Sequence, residues 1–442
     1  MATLLEAYSK RLAISESVYG KQHDGESMPQ NKKIAVAKCL ENVNKFINEA
    51  FNQSQGTQRS NLGDFKKFTM NLMTVSIPNL IAFDLVIVKP MSSFSGFITY
   101  IQYTAGSNKG ETSQGDVFND PFRLGKVDPN YTSERVVETT KVATEDTALV
   151  ARLAWTPVLV TEEGKLANSG KITKDGVEVT DYTITKDGVI TFTNGVSAGD
   201  EVKVAYVYDN VVIPQNDLPI LNAEIKSMTL TARARRIAIY YSQIAAYQAK
   251  TDYGFDLEDQ LAEKAVGQLN YEIDTEVTNL LIDNAAQDGS LVWSKSLPVG
   301  VSKSEHYEGF TEIIEIAKQK IYDRTKRYAP NYMLIASNVL PILTFIKGFS
   351  QASTSNINGP YFAGTLNGLK VYVCPNIKEN EFVFGVNGSD MMSSAAVYAP
   401  YMPIVPTMLL GYADGGMSQG WSTLYDLKLL NKDLLVAGRI TA

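Results

Sequence analysis

The side chains best placed for chemistry lie in two neighbouring stretches. The run 252–286 carries Asp256, Glu258, Asp259, Glu263, Glu272, Asp274, Glu276 and Asp283, with Lys264 as its main basic counterweight. Just upstream, Arg233, Arg235 and Arg236 form the tightest basic knot in the chain. Glu258, Glu263, Glu272 and Glu276 have the residue type for paired acid/base work. Spread along one helix, such carboxylates also serve as a solvated face or as ion-pair partners, and the pattern favours that reading. Three arginines with little aromatic interleaving make a thin nucleic-acid site. Ion pairs to acidic faces, within or between subunits, suit them better.

Other chemistry has little to work with. The only histidines, His23 and His306, sit in polar, loop-like sequence, and Cys39 and Cys374 lie far apart. A metal centre needs clustered ligands, and no cluster is present. Neither cysteine nor any serine sits in a nucleophile elbow. No phosphate loop of the G-x-x-x-x-G-K-[ST] type occurs. GYADGGMSQG (411–420) has the glycines but no strand-to-helix context, so a turn is expected there. The sequence points to no catalytic residues, cofactor or metal, and so to a protein that is not an enzyme.

The elements that carry these residues follow from periodicity. In 252–286, Leu257, Leu261, Ala265, Leu269, Ile273, Val277 and Leu280/Leu281 recur at steps of three and four, the helical period. Acidic residues crowd its start, where the helix dipole favours them. At 1.5 Å per residue this is a rod of roughly 45 Å, which needs an extended surface to cover its apolar stripe. Residues 227–235 alternate as a strand, which puts Arg233 and Arg235 on one face.

Around that centre, 1–61 reads as a weakly helical arm. A helix is expected over 32–51, with Val36, Leu40, Val43 and Ile47 as its stripe, packed on its own body or on a neighbour. Residues 62–105 begin a folded region: a short helix at 64–73, a buried strand at 81–88, then a strand over 95–106. Residues 106–149 read as an extended loop. Residues 150–213 read as an inserted β module, with strand-like runs such as ARLAWTPVLV. In it ITKDGV occurs twice, and Asp175–Gly176 and Asp187–Gly188 signal type I′ hairpin turns. Residues 214–306 hold the return strand and long helix. Residues 307–410 read helix, strand, helix, then strands, with Asn338 as the cap of the second helix. Residues 411–442 read as a closing hairpin. The fold class is α+β.

The chain has 442 residues, 44% hydrophobic content and a net charge of −7. It is long enough for two or three folded units, and its charge argues against a surface built to grip nucleic acid. The N-terminus MATLLEAYSKRLAISES lacks a basic region followed by an apolar run, so no secretion signal is expected. The best apolar candidate for a membrane span, 396–412, is broken by Pro400, Pro403 and Pro406.

The string TARARRIAIYYSQIAAYQAKTDYGFDLEDQLAEKAVGQLNYEIDTEV resembles the major capsid proteins of T-even-type tailed bacteriophages. PNLIAFDLVIVKPMSSFSGFITYIQY is similar to the entry into that family's extended hairpin arm. NYMLIASN, GTLNGLKVYVCP and DMMSSAAVYAPYMPIV are similar to its axial domain. The resemblance implies the Hong Kong 97-type capsid fold: N-terminal arm, extended loop, peripheral domain with a spine helix, and axial domain. An inserted all-β, Ig-like module would sit outside the match. It implies a homo-oligomer, with hexamers and pentamers in an icosahedral or elongated head. That head would be assembled in the host cytoplasm and enclose double-stranded DNA without tight binding. Portal, scaffold, vertex or decoration proteins would be partners, and no membrane is implied. Many relatives are trimmed by a prohead protease. One branch is cross-linked through a Lys–Asn pair, and no such pair is assigned here. Subunit-interface candidates are then Arg233, Arg235, Arg236, Glu258, Asp259 and Glu263. An axial loop would run from Phe349 through Asn356 to Tyr361. Two rivals remain at this level. One is an encapsulin-like compartment shell. The other is a surface or tail-associated protein whose Ig-like module binds glycans.

Overall fold

A computed structural model describes residues 2–22, 25–52, 69–118, 130–145, 148–211, 218–254, 257–325, 327–352, 359–407 and 410–441. The chain divides into two compact units, Met1–Ile98 with Met228–Ala442, and Thr99–Ser227.

The first unit holds two sheets and the long helix. One sheet runs in the order Ile87–Val88, Ala396–Pro406, Gly416–Leu429, Arg233–Ser242, with Leu410–Gly411 paired to Gly416–Leu429. The long helix, Leu257–Asn284, spans 28 residues, about 42 Å at 1.5 Å each. Its Ala262, Ala265, Val266 and Leu269 pack with Ile404 and Trp421 of the sheet, flanked by Leu72, Ile237 and Ile239. Sheet pairing explains the fit. Ile237 stands opposite Trp421 and Ile239 opposite Gln419, so odd-numbered residues of strand 233–242 share the helix side of the sheet.

The other sheet has seven strands, in the order Ala286–Ser294, Leu435–Thr441, Glu381–Gly385, Tyr332–Ile335, Leu369–Val373, Tyr361–Leu366, Phe349–Gln351. It is mixed: 286–294 runs parallel to 435–441, and 332–335 runs parallel to 369–373. Its central strand, Tyr332–Ile335, is apolar and buried at every position, as a strand covered on both faces must be.

The N-terminal segment forms helices Ala2–Ala7, Ser9–Gln22 and Gln30–Asn52. In the third, Val36, Cys39, Leu40, Val43 and Ile47 are fully buried. Asn42 donates from Nδ2 to the carbonyls of Met91 (2.7 Å) and Tyr401 (2.9 Å). Of the two packings open to the arm, the structure has the one on its own body. Lys32 is paired with Asp84, and Tyr19 donates to the same carboxylate at 3.2 Å. Burial pulls the Lys32 ammonium below its ordinary value, against the pull of Asp84.

The second unit contains two antiparallel four-stranded sheets. One runs Arg135–Lys141, Glu201–Val207, Lys171–Lys174, Val177–Glu178, and the other Ala143–Glu145, Ala148–Arg152, Val189–Phe192, Tyr182–Ile184. Their inward residues, among them Val136, Ile172, Ile190, Val204 and Tyr206, form one buried cluster with Trp155 of the connection after Arg152. In sequence these two sheets fall between strands Ser95–Ala105 and Leu221–Thr231, which pair as a two-stranded ribbon.

Several local expectations fail for identifiable reasons. Residues 81–88 are a short helix, Ala82–Leu85, and only a two-residue strand, Ile87–Val88. Asp274 of the long helix accepts the backbone N–H of Ala82 at 3.0 Å. It satisfies donors that every helix start leaves open, and that overrides the strand propensity. Among the described residues, the expected loop 106–149 contains strands Arg135–Lys141 and Ala143–Glu145 and the start of Ala148–Arg152. RVVETTK is polar on its outward positions, and its inward Val136 gave a weak signal. The ARLAWTPVLV strand stops at Arg152. The closing hairpin does not form: Gly416–Leu429 and Leu435–Thr441 belong to different sheets. The carbonyl of Ala395 accepts from Leu430 (2.8 Å) and Asn431 (3.0 Å) at the crossing. Asn338 does not cap helix Leu340–Leu343, whose cap is Val339; its side chain instead exchanges bonds with Asn380. The short helix expected over 64–73 lies partly outside the described residues, and helix is present over 69–76.

Candidate assembly surfaces

The strand Arg233–Ser242 ends its sheet, with no further described strand on its outer edge. Arg233 and Arg235 share the helix side, opposite Tyr425 and Thr423, whereas Arg236 faces the other side. Arg235 is the anchored one. Its Nη2 meets Glu276 Oε1 at 2.5 Å, its Nη1 donates to the carbonyl of Arg233 at 3.1 Å, and its guanidinium carbon lies 4.1 Å from the centre of the Tyr425 ring. The Tyr425 hydroxyl donates to the other oxygen of Glu276. Burial, then the hydrogen bond to Glu276 and its charge, push that phenol well above its ordinary range. The planar guanidinium suits this combination of stacking and charge pairing. Glu276 is thus committed to holding the long helix on the sheet within one subunit.

The remaining candidates are distributed differently. Arg233, Arg236 and Glu263 are not engaged in this way: Arg233 and Glu263 are exposed and Arg236 lies on the opposite face. Glu258 and Asp259 occupy the first turn of the long helix, and their side chains lie outside the described residues. Phe349 starts an edge strand of the seven-stranded sheet and Tyr361 the strand beside it, and Phe349 stands opposite Leu366. Asn356, between them, lies outside the described residues, as does His23.

Asp274 is the titratable group that periodicity did not single out. It is 7% exposed, caps the 82–85 turn, and is held up to about 7 chiefly by burial, against the help of the Ala82 and Ile81 N–H groups. A signal was present: Asp274 sits beside Ile273 and three residues before Val277, inside the arc of the apolar stripe. Burial also pushes the Cys39 thiol up to about 12 and the Cys374 thiol upward, so both are inert at neutral pH. His306 stacks on Trp293, ring centres 4.8 Å apart, and its Nε2 lies 2.9 Å from the carbonyl of Ser294. Among the described residues no group of His, Cys, Asp and Glu could hold a metal ion, and no helix is long and apolar enough to cross a membrane.

What the surface does offer is apolar area. On the ribbon, Ile101, Leu221 and Ile225 are exposed, Ile225 to 79%. An ordered surface of this kind, in a chain whose buried carboxylates are already spent, is that of a protein made to contact other protein.

Residues 62–431 match the family described as Major capsid protein Gp23. The chain belongs to that family, and it is a structural protein of a phage head shell. It is 24% identical to the major capsid protein of Vibrio phage KVP40 over 87% of this chain and 86% of that one. It is 22% identical to the major capsid protein of Enterobacteria phage T4 over 90% and 83%. Among solved structures, the capsid of Myoviridae phage XM1 overlaps 64% of this chain and 90% of its own, at 8% identity and a TM-score of 0.35. The SrpI encapsulin of Synechococcus elongatus, at 12% identity, overlaps 50% of this chain and 77% of its own with a TM-score of 0.34. The family match, with relatives spanning most of the chain, favours the phage head shell over a compartment shell.

Proposed function

We propose that copies of this chain tile as hexamers and pentamers into a closed, icosahedral or elongated head around double-stranded DNA, with no catalytic step of their own. The observation that carries this is the ribbon Ser95–Ala105/Leu221–Thr231, where Ile101, Leu221 and Ile225 stand in water on ordered strands. Ordered apolar surface of this kind marks a protein contact. In the Hong Kong 97-type arrangement, the ribbon is the extended loop laid on a neighbour. The stretch 214–306 with the long helix is then the peripheral domain, 307–410 the axial domain, and the loop from Phe349 to Tyr361 sits at the capsomer axis. Arg233 and Arg236, with Glu258, Asp259 and Glu263, are then cross-subunit charge partners, while Arg235 is spent internally. The β-rich unit is an Ig-like insertion that meets neighbouring subunits or decoration proteins.

The charge supports the reading. Affinity for phosphate grows with the cations presented, so a subunit of net charge −7 encloses a genome and lets it leave. Many modest contacts add up through multivalency. Assembly takes place in the host cytoplasm, with portal, scaffold and vertex proteins completing the head. Negative-stain microscopy of the purified full chain, raised in concentration, is expected to show closed shells or capsomer rings. Monodisperse monomers throughout would overturn the proposal.

A further inference from the structure

The helix Gln243–Asp252 is built inside out. Only small residues face its own subunit: Ala249 is buried and Tyr247's neighbour Ala246 contributes no more than a methyl group. Its large apolar residues, Ile244 and Tyr247, are one turn apart and each 71% exposed. A surface helix ordinarily does the reverse, turning its apolar stripe to the core. The same exposure continues around it. Tyr240, at the end of the edge strand, is 61% exposed, and its ring centre lies 6.2 Å from that of Tyr412. Leu410 is paired with Ser418, which is paired with Tyr240, so the three share one face of the sheet. Leu410 and Tyr412 are also more than half exposed.

The strand end, the start of this helix and the 412–415 turn are tied together. The Gln243 N–H donates to the carbonyl of Gly415 at 3.0 Å, tying the helix start to the 412–415 turn. The Tyr240 hydroxyl donates to Asp414 at 2.9 Å. At roughly 150–250 Å² per tyrosine, the three rings alone leave several hundred Å² in water. That is on the scale of the largest apolar patch of a soluble monomer, which is often a contact site.

We propose that a second copy of this chain docks on the platform of Tyr240, Ile244, Tyr247, Leu410 and Tyr412. Charge favours a copy over an unrelated partner of opposite sign. Two subunits of net charge −7 repel, and they meet most easily where neither presents a surplus. Here the helix carries one Lys250 against one Asp252, and Asp414 is engaged by Tyr240. This deepens the shell reading and rests on it, but concerns a surface distinct from the ribbon.

The test uses the full chain. Tyr247→Asp places a charge in the middle of the platform, at a position exposed in the single subunit. Circular dichroism and melting are expected to match wild type. Shells and rings, counted by sedimentation and negative stain, are expected to fall about tenfold or more, the scale of a lost interface anchor. If wild type assembles and Tyr247→Asp does so at equal yield, the inference is overturned and the shell reading stands. If wild type does not assemble, the shell reading itself fails. Independently of any variant that fails to fold, benzoylphenylalanine at position 247 is photolysed in a mixture of light- and heavy-nitrogen copies. Mixed-isotope cross-links support the platform contact, and cross-links confined to single copies overturn it.

Discussion

Two consecutive helices solve opposite problems. Leu257–Asn284 turns Ala262, Ala265, Val266 and Leu269 into its own sheet and is held there by Arg235, Glu276 and Tyr425. Gln243–Asp252, only a few residues earlier, buries an alanine and leaves Ile244 and Tyr247 in water. Both have apolar residues at helical spacing. The difference lies in side-chain size by face. Where the large residues point inward, one chain suffices. Where they point outward, the helix is stable because strand and turn anchor its start, and the face stays free for another molecule.

The largest effect belongs to the inward helix. Leu269 is 2% exposed in the cluster with Ile404 and Trp421. Leu269→Ala removes that contact and leaves a cavity, with an expected loss of about 2–5 kcal/mol. Urea unfolding followed by tryptophan fluorescence measures it, because Trp421 lies in the same cluster. A loss below about 1 kcal/mol would mean that this helix, too, depends on a neighbour, and the contrast would collapse.

Next comes the carboxylate hidden under that helix. Asp274 is raised from 3.8 to about 7 by burial. The folded state therefore keeps its proton where the unfolded state has released it. Stability from this group is full below pH 3.8 and falls as pH rises towards 7, after which the penalty is constant. A rise of that size corresponds to as much as about 4 kcal/mol. Asp274→Asn keeps an oxygen to accept from Ala82 without the charge. It is expected to stabilise the chain at pH 8 and to lose that advantage as pH approaches 4. A variant no more stable than wild type at pH 8 would show that the N–H groups of Ala82 and Ile81 already compensate the buried charge.

The parts legible beforehand are those where local pattern and tertiary demand agree. The long helix, the arm helix with Val36, Leu40, Val43 and Ile47, and the strand at 332–335 all read correctly because period and burial coincide. Elsewhere a distant residue decides. The two copies of ITKDGV make the point with sequence held constant. Asp175 and Gly176 both take positive φ, 50° and 83°, the two-residue turn expected of Asp-Gly. In the second copy only Gly188 does, at 76°, and the loop is longer, closed by the N–H of Thr185 donating to the carbonyl of Val189. There Leu153 and Val158 donate to the carbonyls of Gly188 and Lys186, each at 2.9 Å, and those bonds select the other turn. The candidate surfaces were half legible for the same reason. Arg235 was found, but its commitment to Glu276 and Tyr425 depends on register between strands far apart in sequence. Ile244 and Tyr247 are not singled out by the sequence pattern, because which way their helix faces is set by strand 233–242 before it.

The smallest expected effect is the most telling for the contrast. Ile244→Ser removes a large apolar residue from a helix, as Leu269→Ala does, and by residue type alone the two look comparable. Ile244 is 71% exposed, so little of its surface leaves water on folding and little transfer free energy is lost. Serine costs the helix a few tenths of a kcal/mol in propensity at most. The single chain's stability in urea is therefore expected to stay within about 0.5 kcal/mol of wild type, below the concentration at which copies associate. A drop of about 2 kcal/mol or more under those conditions would place Ile244 in its own subunit's core. The outward face would then be ordinary packing, and the division between a helix that completes one chain and a helix that awaits another would have no basis.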